Sequence, residues 1–356
     1  MRFFHVADVH LGAEPDKGFP WSEDRGREIW DSFRRLIQQV GERKADLFLI
    51  AGDLFHRQPL LKELKEINYL FSTIPHTEIV LMAGNHDYLK KDSCYLKYPW
   101  EPNVHCLWGR EEPCVELPRL GTAVYGISYD RKEIRDPLYH HIHAAGKQPI
   151  EILLAHGGDE RHIPFSVQIL ERSGFDYVAL GHIHKPDILI PDKIAYAGAL
   201  EPLDRNDTGS HGYIEGTIQT TGKKAEVKIQ FVPFALRAYR NLSISVDETT
   251  TQYELEQKAV QMLKKEKQNL CCLKLEGSRA MDAFFDFNRF YKLGNVRDVQ
   301  DMTHPSYQKE VLKQKYGGTL IEAYAEAFAH KNLTEKEKKA FAYGIEALLE
   351  AREESL

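Results

Sequence analysis

A chain of 356 residues is too long for one ordinary hydrophobic core and predicts two domains, or three. Its 42% hydrophobic and 28% charged content is that of a soluble globular protein, and a net charge of -6 argues against coating nucleic acid by bulk charge while leaving room for a local basic patch. No apolar stretch approaches the roughly 20 residues a membrane helix needs, a strand opens the chain where a signal peptide would lie, and five cysteines without Cys-x-x-Cys spacing predict a reducing cytoplasm rather than a disulfide framework or thiolate zinc site.

In chain order, FFHVA runs into Asp8-Val9-His10. Asp24 to Val40 then sets Ile29, Phe33, Leu36, Ile37 and Val40 at helical spacing. LFLIA ends at Gly52-Asp53-Leu54-Phe55-His56, and Leu60 to Ser72 repeats the helical pattern through Leu61, Leu64, Ile67 and Phe71. IVLMA ends at Gly84-Asn85-His86-Asp87, ILLA at His156-Gly157-Gly158, and YVAL at Gly181-His182-Ile183-His184. Short apolar runs bounded by Gly and polar residues read as buried strands. The early strand–helix alternation predicts βαβ units with right-handed crossovers. After Gly198 the pattern alternates through Tyr213, Ile214, Gly216, Ile218, Val227, Ile229 and Phe231, with a turn at Thr221-Gly222, which predicts antiparallel hairpins. The expected fold class is α/β (α+β): a mixed sheet stack covered by helices.

A second domain is expected from about Tyr239. Asn241 to Val246 reads as a strand, Tyr253 to Lys267 as an amphipathic helix and Leu270 to Leu275 as a strand. From Ser306 the pattern is helical, with Lys309 to Lys315 and Thr319 to His330 separated by Gly317-Gly318, and Thr334 and Glu337 forming a capping box for a last helix. The expected boundaries are 1–236, 240–301 and 306–356.

Ligands of α/β sheets sit beyond the carboxyl ends of the strands. Five strand ends here carry Asp, Asn or His, so one site is expected to collect enough oxygen and nitrogen donors for two divalent cations. Asp8 and His10, and likewise His182 and His184, are spaced i, i+2 and in extended chain would share a side. Asp53 can bridge two cations through its two oxygens; Asn85 offers a neutral oxygen, and His156 an imidazole. Mixed imidazole and oxygen ligation suits manganese, iron or zinc. Two such ions act as a clamp on phosphoryl transfer, and the leaving oxygen needs an acid, a role that fits His86 beside Asn85. His56, three residues after Asp53, can assist in binding or protonation.

Taken jointly, D-x-H, G-D, G-N-H-D, H-G-G and G-H-I-H resemble the calcineurin-like metallophosphoesterase superfamily. The resemblance implies a two-sheet sandwich flanked by helices, one metal on Asp8, His10, Asp53 and His184, and another on Asp53, Asn85, His156 and His182. The opening F-x-H-V-A-D-V-H-L-G, A-G-D-L-F-H, G-H-I-H-K-P and Y-A-G-A-L-E-P are similar to SbcD-type DNA repair exonucleases. That similarity is strong over residues 1 to about 235. It implies that the β-α-β unit is a small α/β capping domain. It also implies a homodimer working on DNA and an SbcC-type ATPase partner. The expected cofactors are two divalent cations, manganese first, with iron or zinc as alternatives. The short cap and helical tail look more like the YhaO branch than SbcD itself.

Other features have two readings each. Arg25, Lys90 with Lys91, and Lys185 lie near the clusters and can contact DNA phosphates or simply be solvated. Tyr88 can stack on a base or pack, and Phe19 and Trp21 lie in the loop after Asp8, a place for substrate contact. His140, His141 and His143 read as exposed rather than metal-binding. Phe341, Ile345, Leu348 and Leu349 on the last helix can dock a partner or cover the chain's own core. The leading functional expectation is a metal-dependent DNA nuclease. The alternatives are a phosphoprotein phosphatase or cyclic-nucleotide phosphodiesterase with the same metal chemistry, and a non-catalytic scaffold for an ATPase.

Overall fold

The computed structural model describes residues 1–108, 114–222, 224–328 and 333–353. It divides into two compact units, Met1–Tyr239 and Arg240–Leu356. In the first unit the elements run β1 (Arg2–Val6), α1 (Ser22–Glu42), β2 (Leu47–Ala51), α2 (Leu61–Ser72), β3 (Glu78–Met82), α3 (Cys94–Lys97), β4 (Val104–Cys106), β5 (Cys114–Leu117) and β6 (Thr122–Gly126). They continue with β7 (Ile150–His156), α4 (Val167–Arg172), β8 (Tyr177–Gly181), β9 (Asp187–Ile190), β10 (Ile194–Tyr196), β11 (Gly212–Thr221) and β12 (Lys224–Pro233).

Two six-stranded mixed sheets result, ordered β12-β11-β1-β2-β3-β4 and β5-β6-β7-β8-β10-β9. β1 to β4 run parallel, and the β11–β12 hairpin joins β1 antiparallel. In the second sheet β6, β7, β8 and β10 are parallel, with β5 and β9 antiparallel at the edges. The expected mixed stack is what the chain adopts.

Why the strands read as unbroken apolar runs is now visible. Phe3, Leu47, Leu49 and Val80 face Val124, Ile152, Leu154 and Tyr177 in a core between the sheets. The alternate residues Phe4, Val6, Phe48, Ile50, Ile79 and Leu81 pack against Ile29, Phe33, Leu36, Leu64, Ile67 and Phe71 of α1 and α2. With both faces covered, a strand needs apolar residues at every position. All these strands of the central layer therefore deliver their last residues to one edge of a buried stack.

The second unit holds a three-stranded sheet, β13 (Tyr239–Val246), β14 (Leu270–Ala280) and β15 (Val296–Ser306), with α5 (Gln252–Leu263). α5 stops at Leu263, before the expected Lys267, because no apolar residue after Leu263 extends its buried stripe of Leu255, Ala259 and Leu263. β15 was not expected as a strand: VRDVQDMTHPS lacks apolar alternation, and its parallel pairing with β14 supplies the order instead. Three helices follow, α6 (Lys309–Tyr316), α7 (Leu320–Ala327) and α8 (Glu335–Glu353). Thr334 and Glu337 exchange the expected capping bonds at the start of α8. His330, the expected end of the preceding helix, lies outside the described residues, as do 354–356. Phe341 and Ile345 are buried against Leu312, Ile321 and Ala325, so this face covers the chain's own core. Among the described residues no helix is long and apolar enough to cross a membrane.

Candidate metal centre

Each strand end reaches the site through an unusual turn of the backbone. Asp8, His10, Asp53 and His182 all have positive φ, at 50°, 53°, 49° and 95°. Non-glycine residues rarely adopt this region, and each such residue costs on the order of 1–3 kcal/mol unless its surroundings enforce it. This corrects one expectation: Asp8 and His10 are not in extended chain. They converge because two left-handed turns redirect them, not because i, i+2 alternation does. Nor do His182 and His184 share one face; they turn to opposite halves of the site.

The glycines beside the ligands are required by contact. A Cβ on Gly84 would stand 2.2 Å from Asp53 Oδ1, one on Gly52 would stand 2.5 Å from His156 Nδ1, and one on Gly181 would stand 2.1 Å from the Ala51 carbonyl oxygen. The sequence pattern of glycine before a donor therefore marks where strand ends pass within van der Waals contact.

The structure brings all seven expected ligands together. In one half, Nε2 of His10 and Nε2 of His184 lie 3.2 Å apart, with Asp8 Oδ1 3.9 Å from His10 Nε2. In the other, Asn85 Oδ1 lies 2.9 Å from His156 Nε2 and 3.1 Å from His182 Nδ1. Asp53 stands between them, its Oδ2 3.8 Å from His10 Nε2 and 3.4 Å from His156 Nε2. Donor atoms of Asp8, His10 and His184, and of Asp8, Asp53 and His156, each gather within 4.8 Å. Asp8, His10, Asp53 and His156 are almost wholly buried.

The electrostatics fit a cation. Although burial opposes it, the neighbouring His156 and His10 hold the Asp53 carboxyl far below its usual range. Burial pushes the Asp8 carboxyl up, against the pull of His156 and His184. Burial alone would lower His156, yet the Asp53 carboxylate draws it up to about 9. Burial and then His156 push His182 down to about 4. Two carboxylates buried this deeply need positive charge among them. The donor set of hard oxygens and imidazoles is one that divalent cations take. The outer ring nitrogens are also occupied: His156 Nδ1 donates to the Ala51 carbonyl (2.9 Å), while His182 Nε2 meets Asp159 (2.8 Å) and His184 Nδ1 meets Asp207 (3.1 Å). Such outer partners are what metal-binding histidines have.

His86 lies at the rim. Its backbone N–H donates to Asp53 Oδ1 (2.8 Å), its Nδ1 donates to the His56 carbonyl (3.0 Å), and its half-buried ring stacks on the exposed His56 at 4.9 Å. His56 Nδ1 lies 3.3 Å from His10 Nδ1. A cleft of about 320 Å³ opens here, lined by His10, His56, His86, His184, Glu14 and Asp204 among others.

The expected substrate contacts fare differently. Lys90 and Lys185 are exposed, Lys90 with its Nζ 5.4 Å from the centre of the Tyr88 ring. Arg25 is not a surface contact at all. It is fully buried, donating to Glu28 (2.7 Å), Glu201 (3.4 Å) and the Pro202 carbonyl (2.6 Å). The i, i+3 placement of Glu28 and the return of residue 201 draw it inward. Trp21 is also structural: it stacks on Phe19 and donates to Asp16 (2.9 Å). His141 and His143 are exposed, and His140 accepts from the Ser166 N–H.

Sequence reasoning missed Asp87, Asp159 and Asp207. Asp87 accepts from the Gly84 N–H (2.8 Å) and the Phe55 N–H (3.2 Å), tying two strand-end loops together. Burial, with Asp53 nearby, pushes its carboxyl up to about 7. Its place in G-N-H-D was a visible signal, as was Asp159 after H-G-G; nothing local marked Asp207.

Residues 1–186 match the calcineurin-like phosphoesterase family, a span that contains every expected ligand. The uncharacterized metallophosphoesterase YhaO of Bacillus subtilis is 26% identical over 234 residues, covering 60% of this chain and 56% of that protein. The DNA double-strand break repair protein Mre11 of Methanocaldococcus jannaschii is 31% identical over 225 residues, 58% of each chain. The Mre11 protein of Archaeoglobus fulgidus is 28% identical over 329 residues, 79% of this chain and 70% of its own. The chain thus spans a little over half the length of the first two relatives. Since the family match extends over more than half of the sequence and takes in the whole cluster of buried donors, the chain belongs to the calcineurin-like phosphoesterases.

Proposed function

We propose that the chain is a metal-dependent nuclease that hydrolyses phosphodiester bonds in DNA. The observation that carries this reading is the convergence of Asp8, His10, Asp53, Asn85, His156, His182 and His184 at one buried edge, with Asp53 between the two halves. Bound divalent cations, manganese first, with iron or zinc as alternatives, would supply an activated water and neutralise phosphoryl charge. The half holding Asp8, His10 and His184 and the half holding Asn85, His156 and His182 would each take one, sharing Asp53.

The chain's own groups supply the rest. His86 is anchored through its backbone to Asp53 and through Nδ1 to the His56 carbonyl, which leaves Nε2 free, and in the imidazolium form Nε2 would deliver its proton to a leaving oxygen at the rim and return to the neutral ring. His56 stacks behind it and sets its plane. Lys90 and Lys185 are exposed cations that can hold flanking phosphates. The likeness to Mre11 proteins, whose name states DNA double-strand break repair, favours DNA over a phosphoprotein or cyclic nucleotide. By the SbcD resemblance the protein would act as a homodimer with an SbcC-type ATPase, and its cysteine usage favours the cytoplasm. We further propose the boundaries 1–236, 240–301 and 306–356 as nuclease, capping and helical segments.

The test is purified protein with manganese, offered single- and double-stranded DNA, a phosphomonoester and a cyclic nucleotide. Hydrolysis of DNA is the expected result. Turnover of the small esters alone would point to the phosphatase or phosphodiesterase reading, and silence on all of them to a scaffold.

A further inference from the structure

A histidine ring binds a cation only through a nitrogen that carries no proton. His184 turns Nε2 toward His10 (3.2 Å) and Nδ1 toward Asp207 Oδ2 (3.1 Å). His182 does the reverse, with Nδ1 toward Asn85 (3.1 Å) and Nε2 toward Asp159 Oδ2 (2.8 Å). An ionised carboxylate only accepts hydrogen bonds, so each ring donates from the nitrogen that faces its carboxylate. We infer that Asp207 and Asp159 are positioning residues that impose opposite tautomers on His184 and His182, so that both rings present a lone pair to the same centre. This rests on the metal-centre reading above.

Asp207 is the firmer of the two. Its side chain is 12% exposed, against 46% for Asp159. Its Oδ2 also accepts the Leu203 N–H (2.9 Å), closing a short loop upon the carboxylate. The root of that loop is bolted down: Arg25 donates to the Pro202 carbonyl (2.6 Å), and Glu201 accepts from Ser32 Oγ and the Leu236 N–H (2.6 Å each). The buried arginine thus acts on the centre from behind. Asp159 is shared with His162, whose Nδ1 lies 2.8 Å from each of its oxygens, so its hold on His182 is divided.

The experiment uses the full chain as native protein, Asp207→Ala, Asp207→Asn and Asp159→Ala. Manganese affinity is measured by calorimetry. The histidine nitrogens of the zinc-loaded protein are read by ¹⁵N NMR. We expect Asp207→Ala to weaken manganese binding about 10- to 100-fold and to lose the slowly exchanging Nδ1–H signal of His184. Asp207→Asn keeps an acceptor oxygen and should restore the signal and most of the affinity. Asp159→Ala should have the smaller effect, confined to Nε2–H of His182. A merely structural role would lower Tm without moving these signals, and native affinity with an intact His184 signal in folded Asp207→Ala would overturn the inference. None of these readouts uses DNA, so a native chain that binds manganese but leaves DNA uncut would remove the nuclease reading alone.

Discussion

The two units bury different things. Among the described residues, the buried polar and charged side chains fall within residues 1–239, with Thr250 the exception. The second unit closes its sheet over Leu255, Leu273 and Phe290 and its helices over Leu312 and Ile345. Removing a carboxylate or imidazole from water is costly unless it is paired or holds a metal. A unit that buries Asp8, Asp53, Asp87 and His156 together has been shaped around charge, whereas the other is explained by packing alone. Both units contain long strands and capped helices, so secondary structure does not separate them; what they bury does.

The contrast can be broken or sharpened by substitution. The largest effect is expected at Asp53, which stands between both halves of the centre. Asp53→Asn should abolish hydrolysis and lower metal content, measured by elemental analysis of the purified protein; retained metal with full turnover would undo the bridging role. Next, His86→Ala should cut turnover by about 10²–10⁴-fold while metal content stays native, since His86 reaches Asp53 only through its backbone N–H. Arg25→Ala, leaving Glu201 buried without its cation, should lower unfolding free energy by about 3–5 kcal/mol; an effect below 1 kcal/mol, as for an exposed ion pair, would restore Arg25 to the surface.

A smaller and more direct comparison sets one glycine from each unit side by side. Gly84→Ala puts a Cβ 2.2 Å from Asp53 Oδ1 and should cost about 1–3 kcal/mol in denaturant unfolding, together with metal affinity. Gly294→Ala meets nothing nearer than 3.6 Å and should fall within about 0.5 kcal/mol of native. The last test is of pH. His5 is buried beside Tyr177, and burial pushes it down to about 3 from the ordinary 6.5. Between those values the unfolded chain holds the extra proton, so stability is whole above pH 6.5 and falls as pH drops toward 3, by up to about 1.4 kcal/mol per unit. His5→Gln should remove that part of the slope, read as the difference between the two proteins' unfolding curves.

Much of the site was legible because its signals are local. An apolar run covered on both faces, then glycine, then a donor, records in one stretch of chain that a strand ends at a crowded buried edge. Asp53 after Gly52, Asn85 after Gly84 and His182 after Gly181 all show it. Arg25 was misread because its partner Glu201 is 176 residues away and leaves no mark near residue 25. β15 was missed because its order comes from pairing with β14 and not from its own pattern.

The sequence by itself determined the donors, their strand ends and the helices that pack behind them, since burial and backbone geometry act over a few residues. Only the tertiary structure decided how the donors face. The left-handed turns at Asp8 and His10, the inward course of Arg25, and the carboxylates of Asp159 and Asp207, each 23 residues from the histidine it holds, depend on where loops return. Hydrogen bonds and charge act through space, and the path that brings their partners together is set by the whole fold.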